Sequence, residues 1–440
     1  MRLDGVPQAI AWCAFASVCL APFLFGAVER SVWVPLCQLW LAAGLVSTLC
    51  RPRPAPRDPA SVGSAVSMAL LPVHALFLAQ LIPLPSAVLR VLSPGSFAAH
   101  FLPDPGDGRF RPLSVSPSAT IEAWLYVAGL QGLFLALRGL PSERRRALAH
   151  VLLGVIVCLA AEGLWQSRTP HPAWLYGRVP ILAPIGLETA TFGPYYNRNH
   201  FATAMALGAA WACGLALDLI RERGGLFRVL AHAPAMTQAI LLGGASLLLT
   251  LTAAASGSRS GAGAAVAAIA IMLARAFGAR RLLLPVMAGV AILFLSGAAA
   301  IDRLMRLDMV TSRWAPWVDM TRLWRFFPAF GSGIGTFGEA YWPYQMNSRY
   351  EFWQNAHNEY LQWTIEAGLA GLVVAGLAAG FLRRSFAFTD WARGGAIAAL
   401  IGVGLQALLD FPLRIPANAA LLVCVIALGA SARSNQRPGA

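Results

Sequence analysis

The stretch QNAHNEYLQWTIEAGLAGLVV, Gln354 to Val374, sets a polar, aromatic run carrying a histidine directly against an apolar helix. An apolar segment of about 20 residues is long enough to cross a bilayer. This reading therefore puts His357, Asn358 and Glu359 at the mouth of a membrane span, and the rest of the chain decides whether that mouth is a site.

The chain repeats the apolar pattern throughout. Its 440 residues are 57% hydrophobic and 12% charged, where a soluble globular protein has about a quarter of its residues charged. Apolar runs of roughly 17 to 25 residues predict twelve transmembrane helices, near 8–27, 32–50, 64–86, 119–138, 148–166, 199–219, 236–254, 260–277, 282–300, 361–382, 394–411 and 415–431. The first run belongs to this multi-span pattern and lacks a small-residue cleavage site followed by soluble sequence, so it is expected to stay as a helix. The expected fold is an all-α polytopic membrane protein, one transmembrane domain over 1–440, with its largest loop, 302–360, between spans nine and ten.

All 34 basic residues are arginine and the net charge is +14, which by itself would suit an acidic partner such as nucleic acid. Plotted against the spans, the arginines alternate. Arg51, Arg53 and Arg57 follow span two, Arg138 and Arg144 to Arg146 span four, and Arg221, Arg223 and Arg228 span six. Arg275, Arg280 and Arg281 follow span eight, Arg383, Arg384 and Arg393 span ten, and Arg433 and Arg437 end the chain. By the positive-inside rule these loops are cytoplasmic, as are both termini. The charge reads as topology, and no nucleic-acid surface is expected. Cys13, Cys19, Cys37, Cys50, Cys158, Cys213 and Cys424 lie in or at the edge of spans without paired spacing, so neither a disulfide framework nor a zinc site is expected.

The other set of loops then faces the opposite side and holds the long polar segments, near 93–118, 167–198 and 302–360. The last is dense in aromatics, among them Trp314, Trp317, Trp324, Tyr341, Trp342, Tyr344, Phe352 and Trp353, interleaved with Arg313, Arg322, Arg325 and Arg349. Aromatic faces and guanidinium groups suit sugar rings and phosphates; an interfacial aromatic belt is the alternative. The glycine run GSGIGTFG, Gly331 to Gly338, follows no strand and opens no βαβ unit, so it reads as a tight loop with N–H groups available to an anion rather than as a dinucleotide site.

Three residues on that face are candidates for chemistry. His357 precedes the tenth span, where a neutral imidazole can accept a proton. Arg259, in SGSRSGAG, lies in the short turn between spans seven and eight, at a depth where a bound phosphate would offset the cost of a guanidinium. Arg313, in TSRWAPWVDM, opens the large loop. A lone arginine or histidine here is more often a snorkelling or surface residue.

In combination these residues resemble the O-antigen ligase superfamily, which includes O-antigen polymerases and protein O-oligosaccharyltransferases of Gram-negative bacteria. The signature His, then Asn, Ser or Gln, nine residues, Gly, two residues, then Gly, Thr or Tyr is met by His357, Asn358, Gly368 and Gly371. SRSG at Ser258 to Gly261 is similar to the family's arginine turn, and TSRWAPWVDM with FPAFGSGIGTF to its approach to the histidine. SPSATIEAWLYVAGLQGLF from Ser116 and NRNHFA from Asn197 are similar to weaker family elements; the resemblance covers roughly 110–430.

The resemblance implies a GT-C-like glycosyltransferase of the bacterial inner membrane, its active site facing the periplasm. The donor would be an undecaprenyl diphosphate-linked glycan lying in membrane lipid, the acceptor lipid A-core or another glycan, with no nucleotide, cofactor or metal. His357 would be the base and Arg259 and Arg313 the diphosphate clamp. Asn358 would orient the histidine or cap the helix, Arg198 and His200 would bind donor or cap a span, and Arg322 would join the substrate-binding set. Glu359 is expected to pair with an arginine, and Glu366 and Asp410 are buried-carboxylate candidates with structural pairing as the default. The short tail after span twelve favours ligase or polymerase over protein glycosylation. A twelve-helix secondary transporter competes, but it should show repeated halves and mid-membrane charges, and neither is evident.

Overall fold

The computed structural model describes residues 6–50, 62–101, 110–169, 191–278, 308–346, 352–383 and 391–429. Its long helices are α1 (Val6–Leu20), α2 (Arg30–Leu49), α3 (Val62–Leu81), α4 (Pro117–Arg138), α5 (Ser142–Gln166), α6 (Arg198–Glu222), α7 (Ala233–Ala255), α8 (Arg259–Phe277), α9 (Asp308–Arg322), α10 (Glu359–Leu382), α11 (Trp391–Gln406) and α12 (Pro416–Gly429). Among the described residues eight helices are long and apolar enough to cross a membrane, and α3 and α12 add shorter apolar stretches. With the 16-residue α11, each expected span has its helix, except the ninth, 282–300, which lies outside the described residues. α9, which falls within the expected loop 302–360, is not among the helices long and apolar enough to cross a membrane.

The molecule is built around α6, whose apolar window is 83% buried. Its sequence, RNHFATAMALGAAWACGLALD, is rich in Ala and Gly, and small side chains let neighbouring helices approach closely in lipid, where burial of apolar surface drives nothing by itself. α5, α7, α8, α11 and α12 all contact it. α2 packs on α4, and α3 on α10, at the flank.

Charge separates the two ends of the bundle. Arg146 pairs with Glu222, Arg144 donates to Gln8, and buried Arg145 donates to the Leu140 carbonyl at 2.6 Å, capping the chain end of α4. The candidate residues gather at the opposite end, where α6, α8, α10 and α12 begin and α11 finishes. A two-stranded pair, Pro83–Pro85 with Phe110–Pro112, sits at this end too; its three-residue strands are too short to show in the hydropathy pattern.

The stretch that announced the fold is not one continuous helix. α10 breaks at Gly368 (φ 60°, ψ −155°), and the glycine loop of residues 328–334 fills the break. Ser332 and Gly333 donate to the Ile365 and Glu366 carbonyls at 3.0 and 3.1 Å, while Leu369 and Ala370 donate to the Pro328 and Ala329 carbonyls at 3.0 and 2.9 Å. Gln80 of α3 completes the lattice, giving its amide to the Phe330 and Glu366 carbonyls and accepting from Ile334 N–H. Irregular backbone at membrane depth is tolerated only where every polar group finds a partner inside the protein. Of the loop N–H groups anticipated as open to an anion, those of Ser332, Gly333 and Ile334 therefore serve the protein itself.

A Cβ at position 368 would lie 2.5 Å from Gly331 N and 2.8 Å from the Ala329 carbonyl carbon. The backbone there also falls in a region that essentially only glycine occupies, at a cost of about 1–3 kcal/mol for other residues. Gly368→Ala is thus expected to lower the amount of folded protein in the membrane, read by its melting in detergent; an unchanged melting temperature would show that the break is not enforced by the glycine.

Candidate active site

His357 stands at the turn into α10 and has a left-handed backbone, φ 51°, a conformation in which His and Asn are enriched among non-glycine residues. The turn is pinned on both sides. Ala356 N–H donates to Gln362 Oε1 at 3.0 Å and its carbonyl accepts from Trp317 Nε1 of α9 at 2.7 Å. Asn358 is the N-cap, its Oδ1 accepting from Leu361 N–H at 3.0 Å. Glu359 N–H donates to the Ala407 carbonyl, and the Glu359 carboxylate accepts from Leu413 N–H at 2.7 Å, with Arg414 as the arginine that acts on it electrostatically.

These restraints aim His357 at Asp410, in the connector between α11 and α12. His357 Nδ1 lies 3.3 Å from Asp410 Oδ1. The same oxygen accepts from Phe411 N–H at 2.9 Å, and Oδ2 accepts from Asn199 Nδ2 at 2.7 Å. Burial works to raise the Asp410 carboxyl, but the imidazoles of His200 and His357 beside it more than offset this and hold it well below the usual carboxylate range. Asp410 is thus ionised and can only accept. Facing it, His357 carries its proton on Nδ1, which leaves the Nε2 lone pair turned away. The His357 side chain is 27% exposed, Asp410 fully buried.

His200, on the first turn of α6, is 6% exposed and points its Nε2 at Asp410 Oδ1 from 3.7 Å. The cap of α6 falls to Asn197, whose Oδ1 accepts from Asn199 N–H at 2.8 Å. Buried Asn418 holds the turn by donating to the His200 carbonyl at 2.9 Å and accepting from Tyr195 OH at 3.1 Å. Gln406 bonds Thr203 Oγ1 and the Asn199 carbonyl, both at 3.0 Å, so α6 and α11 are tied together beside the carboxylate.

Arg313 reaches this cluster from α9, donating to the Leu409 carbonyl. Burial lowers its guanidinium from the ordinary value, while Asp410 pulls the other way. Arg259 is the first residue of α8 and exposed, behind the N-cap Ser258; Arg198 is the half-buried first residue of α6. Arg322 sits apart, 58% exposed, with Nη1 3.4 Å from Asp319. Of the loop aromatics, Trp317 and Trp353 stand against the His357 turn, whereas Trp314, Trp342 and Phe352 are exposed.

A second polar cluster lies below the histidine. Buried Glu366 takes both nitrogens of Arg414, Nη2 to Oε2 at 2.6 Å and Nη1 to Oε1 at 3.2 Å, and also accepts from Phe337 N–H and Gln362 Nε2. Arg414, Gln80 and Asn199 did not stand out in the sequence, and Asp410 stood out only as a buried acid. Their signal was a polar residue in an apolar setting, without an indication of its partner. Among the described residues no group of three or more His, Cys, Asp or Glu is arranged to hold a metal ion.

The O-antigen ligase family model matches residues 244–376, from the middle of α7 through Arg259 and Arg313 to the far side of the α10 break. His200 and Asp410 fall outside that match. No curated protein matches the chain. This stretch, which carries the histidine, its cap and both signature glycines, is thus similar to the O-antigen ligase family.

Proposed function

We propose that the protein moves a glycan from undecaprenyl diphosphate to a hydroxyl of lipid A-core, at the periplasmic face of the inner membrane. The observation that carries this reading is the His357–Asp410 pair, an imidazole oriented by an ionised carboxylate at the end of the bundle remote from the arginine-rich turns. The positive-inside rule makes that end periplasmic.

In this mechanism His357 Nε2 takes the proton of the acceptor hydroxyl as its oxygen attacks the anomeric carbon of the glycan. The bond from that carbon to the diphosphate breaks, and the electron pair leaves with the lipid diphosphate. Arg313 and Arg259 stabilise the charge that develops there. The N-termini of α6, α8 and α10 add positive potential at the same end, with Arg198 at the first position of α6. Exposed Trp314, Trp342 and Phe352 offer faces to sugar rings, and Arg322 lies on the same loop.

Purified protein supplied with the lipid-linked glycan and lipid A-core should shift the acceptor on a gel. Arg259→Ala and Arg313→Ala should each lower that transfer by about 10²-fold or more while the variants stay in the membrane. Lysine should restore only part, because it cannot grip a diphosphate with a planar fork. Full activity of both alanine variants would remove the clamp from the mechanism. Glycan lengthening on its carrier, without transfer to lipid A-core, would reassign the protein to polymerisation.

A further inference from the structure

Two imidazoles address one carboxylate oxygen. His357 Nδ1 lies 3.3 Å from Asp410 Oδ1 and His200 Nε2 3.7 Å from the same atom. The two rings flank the Phe411 side chain symmetrically, with centroids 4.8 and 4.7 Å from it and both edge-on. His200 Nε2 is buried and has no hydrogen-bond partner, so Asp410 is the polar group it faces. Its burial separates it from a role in contacting substrate, and Asn197 already caps the helix.

We propose that His200 is a positioning residue which, through Asp410, sets how strongly His357 attracts a proton. This rests on the reading of His357 as the base. The groups around the carboxylate come from every neighbouring element: His357 and Glu359 from α10, His200 and Asn199 from α6, Arg313 from α9, and Phe411 N–H from the connector, whose Arg414 is engaged by Glu366. Among them His200 and His357 are of the residue type that changes charge near neutral pH. A proton on His200 places a cation against the oxygen that holds His357 Nδ1–H. The carboxylate's pull on His357 weakens, and with it the affinity of Nε2 for the acceptor's proton. The two imidazoles and Asp410 then titrate as one coupled unit.

His200→Gln keeps an amide donor near the Nε2 position but removes the titration. The acid limb of kcat/KM should move to higher pH, because His357 no longer competes with a second cation for Asp410. The ratio of activity at pH 8 to that at pH 6 should grow by about threefold to tenfold, the change expected from a displacement of about half to one pH unit. A purely structural role would lower activity at both pH values alike and leave the ratio unchanged, overturning the proposal. Should the variant fail to fold, the wild-type protein provides the second arm. Carbethoxylation of His357 by diethyl pyrocarbonate, followed by peptide mass spectrometry across pH, should rise more gradually than a single-proton curve. A single-proton curve would overturn the coupling. This arm needs no glycan transfer, so failure of the proposed reaction and failure of the coupling are distinguishable.

Discussion

His357→Asn should abolish glycan transfer, by about 10²- to 10⁴-fold for loss of a general base, while the protein folds and still binds its lipid-linked donor. Asparagine is the informative replacement for two reasons. It tolerates the left-handed backbone that His357 adopts, and its side-chain amide nitrogen falls where Nδ1 does, so the contact to Asp410 at 3.3 Å can be kept. What it lacks is Nε2. The comparison therefore isolates the nitrogen that faces away from the carboxylate from the one that faces it. Transfer is read from the acceptor's gel mobility and donor binding from retention of labelled lipid-linked glycan. Near-normal transfer by this variant would mean that another group removes the proton.

Glu366→Ala should have the largest effect on stability. Glu366 is fully buried and is the acceptor for both nitrogens of Arg414, for Gln362 Nε2 and for Phe337 N–H. Its removal leaves a guanidinium without its carboxylate and a backbone donor without an acceptor, and breaking a buried ion pair from one side costs about 3–5 kcal/mol. The same site holds the break in α10 against the glycine loop, so the loss should spread to the approach to His357. The measurements are membrane level and melting in detergent. Removing both charges, as Glu366→Ala with Arg414→Leu, should recover part of the loss, since no cation is then stranded. A single variant that melts with the wild type would show that the pair contributes nothing to stability.

Much of the fold was legible because lipid imposes a simple rule: about 20 apolar residues in a row make a helix. The spans around α1, α2, α4 to α8 and α10 could be read by length alone, and the arginine clusters separated one end of the bundle from the other. The ninth span, 282–300, lies outside the described residues. The candidate site was half legible. His357 stood out as an imidazole at the start of a span, and Arg313 as a guanidinium opening the large loop. The partner of His357 did not, because Asp410 is 53 positions away and its neighbours Asn199 and His200 come from a third helix.

The amino-acid sequence by itself determined the class of the protein, the order of its spans and the residues able to carry charge, since these follow from local hydropathy and residue chemistry. Only the tertiary structure decided that Gly368 interrupts α10 and that Gln80, 286 positions from Glu366, closes the interruption. It also decided that Asn358 is committed to a cap, that Arg322 turns to Asp319, and that one buried carboxylate is shared by His357 and His200. The physical reason is that in a helical bundle the contacts that select a partner for a polar group join residues far apart in the chain, and periodicity within one helix carries no record of which neighbour will face it.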